Sequence, residues 1–262
     1  MNKIYFFAFL FIYSCTNHPD KKISIENKSQ TAEQLYKVAI STYPDSLLLK
    51  ENLIQLYRDS GEYKAAIELV NNYLKTDSNN ARFWEIKAVL HFETNDTIHA
   101  ISSFENALKI HPDTDDMISL ATLFAETKNP MALNIADSLL MRFKKQHEKE
   151  ALFIKGLYFS ATNKKEYAIQ YFDQCIAIQY SFMEAYREKA IALYDLKKYN
   201  DAILVLTKAV TLKNNYDEGY YYLGKCFEKI NNTQAAIEAY QKTLMYNPEF
   251  GEAQDAIERM GQ

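Results

Sequence analysis

The chain has 262 residues, 48% apolar and 24% charged, with a formal net charge of -4. Lysine and glutamate alternate along it, so there is no basic stripe to neutralise a phosphate backbone, which excludes nucleic acid as a partner. Six glycines and five prolines are few for this length and argue for helix throughout.

The N-terminus reads Met1, Asn2 and Lys3, then an apolar run from Ile4 to Tyr13, then Ser14 and Cys15. Ten apolar residues are too few to cross a bilayer as a helix and fit the hydrophobic region of a secretory signal. Ile12, Tyr13, Ser14 and Cys15 resemble the box of a bacterial lipoprotein signal, in which the peptidase cuts before a cysteine that receives lipid. Tyr13 departs from the small residue usual there, and an ordinary cleaved signal with an incidental cysteine is the alternative. The resemblance implies a signal peptide over 1–14, lipid on Cys15, and a place in the bacterial cell envelope, at the outer membrane. Residues 16–30 are polar and lack periodicity, which suits a tether reaching about 50 Å at full extension.

From Thr31 the apolar residues fall at helical spacing, in pairs of short stripes that recur every 34 residues. Small residues stand where paired helices must approach: Ala88, Gly156, Ala190 and Gly224 in the first stripes, and Ala32, Ala66, Ala100, Ala168, Ala202 and Ala236 opening the second. Four residues after the opening alanines come Tyr36, Val70, Phe104, Phe172, Leu206 and Tyr240, large enough to fill the gap to the neighbouring helix. Pro44, Pro112 and Pro248 close their stripes in register, where proline cannot continue a helix.

This pattern resembles the tetratricopeptide repeat over residues 31–262, best where Trp84, Ala88, Ala100, Phe104, Ala107 and Pro112 stand, and again through Tyr220, Leu223, Gly224, Phe227, Ala236, Tyr240 and Pro248. Lys87, Lys155 and Lys189 replace the usual leucine, and Thr243 the usual alanine. The resemblance implies an all-α fold, a right-handed superhelical α-solenoid of helix-turn-helix repeats. Its expected divisions are a half-repeat cap at 31–46, six repeats over 47–250 and a capping helix at 251–262. The repeat at 115–148 matches worst. Its first helix fits one residue earlier, through Leu120, Ala121 and Phe124, and Asn129-Pro130 is expected to start its second helix early.

No residue pattern points to catalysis. Neither a phosphate-cradling glycine loop nor a nucleophile elbow is present, carboxylates sit on exposed faces, and no cofactor is expected. The histidines are scattered and none pair at the i, i+4 spacing of a helical metal site, so no metal is expected either. Cys175 and Cys226 lie nearly two repeats apart and read as small core residues.

In the resembled family the first helices line a concave groove for extended peptides or partner helices. The corresponding positions here include Leu123, Phe153, Leu157, Arg187, Ile191, Tyr194, Tyr221 and Lys225. They form an apolar middle between an acidic N-terminal side, at Glu51 and Glu85, and a basic, tyrosine-bearing C-terminal side. The family's clamp of lysine and asparagine for a terminal carboxylate is not present as a set. The expected function is a membrane-tethered, non-enzymatic adaptor for a protein or peptide partner. The alternative is a glycan-binding envelope lipoprotein, with Phe153, Tyr194, Tyr221 and Tyr222 stacking on sugar faces.

Overall fold

The computed structural model describes residues 31–261. They form fourteen helices and no strand. The signal, Cys15 and the tether expected from the sequence lie outside the described residues. No described helix is long and apolar enough to cross a membrane.

The chain divides into two compact units at Leu53. In the first, α1 (Ala32–Thr42) is followed by the opening half of α2 (Leu47–Asp59). Thr31 starts α1 with a reciprocal cap: its hydroxyl accepts the Gln34 amide at 3.3 Å, and the Gln34 side chain accepts the Thr31 amide at 3.2 Å. Two amides that the helix leaves without partners are thereby satisfied.

The second unit continues α2 into α3 (Tyr63–Thr76) and then five further helix pairs: α4 (Ala81–Glu93) with α5 (Thr97–Ile110), α6 (Thr114–Glu126) with α7 (Met131–Arg142), α8 (Lys144–Ala161) with α9 (Lys165–Ile178), α10 (Met183–Asp195) with α11 (Tyr199–Leu212), and α12 (Asp217–Lys229) with α13 (Thr233–Tyr246). Helix α14 (Gly251–Met260) follows the last pair. Within this unit the helices form an α-solenoid.

The repeat is enforced by the turn inside each pair. Gly61, Asn95, Asn163, Lys197 and Asn231 have φ between 59° and 73°, all on one 34-residue grid. The left-handed residue lets the next amide reach back to a helix carbonyl, as Asp96 N does to His91 O at 2.8 Å and Asn232 N to Phe227 O at 2.9 Å. Carbonyls at the helix end are thus satisfied and the chain reverses. Lys197 accepts this conformation despite its Cβ, at a cost of about 1–2 kcal/mol.

Packing follows the small-residue positions. Gly224 lies against the ring of Tyr240, where an added Cβ would sit 2.5 Å from the ring, and Gly156 meets Phe172 in the same way. Tyr240, Phe172, Val70 and Leu206 are buried, as the spacing predicts. The apolar core runs on from pair to pair, with Ala88, Phe104 and Leu120 in one continuous cluster reaching Ala185. A repeat buries its apolar face on its neighbours rather than within itself.

One repeat breaks the grid. Helix α6 begins at Thr114, one residue early, as Leu120, Ala121 and Phe124 predict, and the left-handed residue moves to Lys128. The start of α7 differs from expectation. It falls at Met131, on the grid, with Pro130 preceding it and the Asn129 side chain accepting the Met131 amide at 3.0 Å. What comes early is its buried face, Ala132, Ala136 and Leu139, two residues ahead of the pattern in α9. A pair of salt bridges records the slip: Lys189 reaches back sixteen residues to Asp173 at 2.5 Å, whereas Lys155 reaches back eighteen to Asp137 at 2.6 Å. The two residues are absorbed where α7 ends at Phe143 and His147 interrupts α8 with φ -128° and ψ 22°.

Candidate functional site

Among neighbouring pairs in the second unit, α6 touches α8, α8 touches α10, and α10 touches α12. The first helices therefore share one inner face, and the residues expected to bind a partner come from them. The structure divides that set. Leu123 and Leu157 are only 2% and 6% exposed and belong to the core cluster. Phe153 is half-buried, with its ring 5.7 Å from that of Phe172 and 5.0 Å from that of Phe182. Ile191 is half-buried as well. The apolar middle of the face is thus mostly invested in packing.

Arg187 is also internal. Its guanidinium donates to Glu218 at 2.7 Å and to Glu188 at 3.1 Å, and all but 5% of the residue is buried. A guanidinium with two carboxylates is a paired charge held inside the fold, with little left for a ligand. Glu126, from α6, faces the same network. One of its oxygens, Oε1, is buried without a hydrogen-bond partner, and burial, with Glu188 nearby, pushes its carboxyl up to about 7.

The remaining three residues converge. Tyr194, Tyr221 and Lys225 line one open cleft of about 240 Å³ with Glu228, Lys229, Tyr240, Glu252, Ala256 and Arg259. The Lys225 ammonium lies 5.3 Å from the Tyr194 ring centroid, 5.6 Å from Tyr221 and 5.3 Å from Tyr222. Three ring faces attract the cation and fix its position without neutralising it. Neither Lys225 nor Lys229 forms an ion pair among the described residues. Tyr221 is itself held by Phe250, with ring centroids 4.8 Å apart.

The floor of this cleft is tied to the end of the array. Glu228 accepts from the Tyr240 hydroxyl and takes two hydrogen bonds from Arg259 at 3.0 and 3.1 Å. Burial works to raise the Glu228 carboxyl, but the bonds from Arg259 and Tyr240 outweigh it and hold it below the usual range. Arg259 belongs to α14, so the helix that ends the array also builds a wall of the cleft. Its role is legible only once α14 is placed, because Glu228 and Arg259 lie 31 residues apart.

The opposite end of the inner face is acidic. A cleft of about 380 Å³ is lined by Ala81, Arg82, Glu85, His111, Asp113, Asp115 and Asp116. Asp113 caps α6, accepting the amides of Asp115 at 2.9 Å and Asp116 at 3.2 Å. Burial, reinforced by Glu85 and Asp113, pushes Asp116 up to about 7. The two clefts differ in character, one basic and tyrosine-bearing, the other mostly acidic. The cysteines contribute to neither: Cys175 and Cys226 are buried free thiols, and burial pushes each up to about 12.

Comparison with known proteins places this architecture. Tetratricopeptide repeat families match residues 25–90 and 187–256. A DnaJ homolog subfamily C member 7 homolog of Dictyostelium discoideum is 27% identical over 244 residues, covering 90% of this chain and 40% of the relative. The Hsp70-Hsp90 organizing protein of Triticum aestivum is 29% identical over 94 residues, covering 36% of this chain and 16% of the relative. The chain thus spans less than half the length of either. A tetratricopeptide repeat protein from Parabacteroides merdae has a TM-score of 0.75 at 18% identity, over 88% of this chain and 91% of that one. PilW, a type IV pilus biogenesis factor, has a TM-score of 0.61 at 21% identity, over 80% and 97%. At these identities the two structures speak for the fold alone. With six helix pairs, five of them on one 34-residue grid, and the family's models matching residues 25–90 and 187–256, the chain is a tetratricopeptide repeat protein.

Proposed function

We propose that this protein is a non-enzymatic adaptor that binds an extended segment of another protein on the inner face of its repeats, anchored at the C-terminal cleft. The observation that carries this reading is Lys225, a cation fixed among three tyrosine rings, beside Lys229, with no carboxylate of its own. Such a group favours an acidic side chain or terminus flanked by apolar residues, which the tyrosines contact with rigid, amphipathic surface. The Dictyostelium and wheat relatives, the latter named for organising Hsp70 and Hsp90, support a protein as the partner. The glycan alternative is weakened by the same geometry, since Lys225 and Phe250 already occupy ring faces that a sugar would use.

Selection from a random peptide library on the full chain tests the reading. The expected peptides share an acidic residue next to an apolar one. They lose about tenfold or more in affinity on Lys225→Ala, the value of one charged contact. Selection of no peptide, or of peptides that bind Lys225→Ala equally well, overturns it.

We further propose that the adaptor is tethered to a bacterial envelope membrane by lipid on Cys15. The support is the apolar run and the box ending at Cys15. Multiple acyl chains, at about 0.8 kcal/mol per buried CH₂, make such attachment effectively permanent. Mass spectrometry of the mature N-terminus decides it: a lipidated Cys15 is expected, and an unmodified terminus at another residue refutes the anchor.

A further inference from the structure

The turn between α4 and α5 gathers two imidazoles and a carboxylate. His91 stands in the last turn of α4, Asp96 caps α5, and His99 lies in the first turn of α5. Their potential ligand atoms all lie within 4.8 Å of one another, and no other such group occurs among the described residues. His99 Nδ1 is 2.8 Å from both carboxylate oxygens of Asp96, and the two imidazole rings stack with centroids 5.1 Å apart.

Helix capping explains Asp96, which accepts the His99 amide at 3.3 Å. It does not explain His91. This residue is 9% exposed, and its Nδ1 lies 3.2 Å from Asp96 Oδ2 yet makes no hydrogen bond. The buried ring nitrogen is thus held beside the carboxylate by position rather than by a well-formed hydrogen bond. Nor does packing require an imidazole. The same position of the regular repeats carries Tyr57, Phe159, Leu193 and Phe227, and the Phe159 ring meets that of Tyr167 at a tilt, centroids 5.6 Å apart, where His91 stacks on His99. The turn brings positions eight apart together here and at Phe159 and Tyr167; among the described residues only here are they two histidines with an aspartate between them.

We infer that His91, Asp96 and His99 form a binding site for a divalent transition-metal ion of the zinc class. Two imidazole nitrogens and one carboxylate oxygen are the donors such a borderline ion takes, whereas magnesium and calcium prefer oxygen alone. Three protein ligands leave a coordination position open. Because the side chain of His99 is 64% exposed, that position faces solvent, where water or a group from another molecule completes the shell. The nearest cation, Lys87, lies one turn back on α4, with its ammonium 5.0 Å from the Trp84 ring centroid.

Isothermal titration of the untagged full chain with Zn²⁺, repeated with Co²⁺ for its visible absorption, tests the site. One ion per chain is expected, with the Co²⁺ bands of a low-coordinate N/O site. His99→Ala, at an exposed position, and His91→Phe, which copies Phe159, should each keep the far-ultraviolet circular dichroism of a helical array. Each should weaken binding by more than about 100-fold, exceeding the usual effect of an outer-shell change. Asp96→Asn retains a capping side chain and should still weaken the metal. Absence of stoichiometric binding by the wild-type chain, or equal binding by the folded His99→Ala and His91→Phe variants, overturns the inference.

Discussion

Two glutamates near the ends of their first helices, Glu126 and Glu228, meet opposite fates. Glu228, in the last regular pair, accepts from Tyr240 and Arg259 and is held as a carboxylate. Glu126, in the pair that slips off the grid, has a buried oxygen with no partner. In the slipped pair the core position that Tyr240 fills in the regular one is taken by Ala136, which carries no phenol. A repeat array tolerates a slip of one or two residues when the chain takes it back further on, here across Phe143–His147. The slip still strips polar groups of the partners that the regular geometry would supply.

The largest effects should come from the residues that set the two registers. Tyr240→Ala, in the regular pair, is expected to cost ~3–5 kcal/mol, and Leu139→Ala, in the slipped one, ~2–5 kcal/mol in denaturant unfolding. Ser138→Ala should stay within ~0.5 kcal/mol; a large loss there would place the buried face of α7 on the grid after all. Next comes Gly224→Ala. The added methyl drives against the Tyr240 ring, and a loss of about 1–3 kcal/mol is expected despite the better helix propensity of alanine.

The glutamates themselves should differ in the sign of their pH dependence. The folded Glu126 carboxyl is raised from 4.5 to about 7, so between those values the unfolded chain gives up a proton that the folded chain keeps. Its contribution to stability therefore declines as pH rises through that window. Glu126→Gln should stabilise the protein by ~1–2 kcal/mol above pH 7 and change little below pH 4, as read from melting curves across pH. Glu228 is the reverse case, held below its ordinary value, so its contribution is present at neutral pH and lost on acidification. Glu228→Gln should cost about 1 kcal/mol at pH 7, with the difference fading in acid. Equal pH slopes for the two variants would break the comparison. A small gain is expected for Lys197→Gly, which relieves a left-handed Cβ and should raise stability by ~0.5–1 kcal/mol in the same melts.

How much of this could be read from the sequence depends on how far apart the cooperating residues lie. The helix pairs are legible because Ala66, Ala100, Ala168, Ala202 and Ala236 mark them locally at a fixed spacing. The early α6 is also legible, through Leu120, Ala121 and Phe124. The return to register is not, because it occurs in the charged stretch from Lys144 to Glu150, where no glycine or proline marks a break. For the binding face, Tyr194, Tyr221 and Lys225 emerge from repeat position alone. Repeat position also places Leu123 and Leu157 on the groove, but helix packing turns both into the core. Arg187 sank inward because Glu218, 31 residues later, meets it there. His91, Asp96 and His99 escape a rule that looks for ligands four apart on one helix, because the turn at Asn95 joins two helices.

The central claim is that a partner engages the aromatic and basic end of the inner face. Calorimetric titration of a selected acidic peptide into four full-length proteins tests it most directly: wild type, Lys225→Ala, Lys229→Ala, and Glu85→Ala with Asp115→Ala at the far cleft. Losses of about tenfold are predicted for each lysine variant, with wild-type affinity for the far-cleft variant. Undiminished binding by both lysine variants, or a loss confined to the far-cleft variant, would contradict the account.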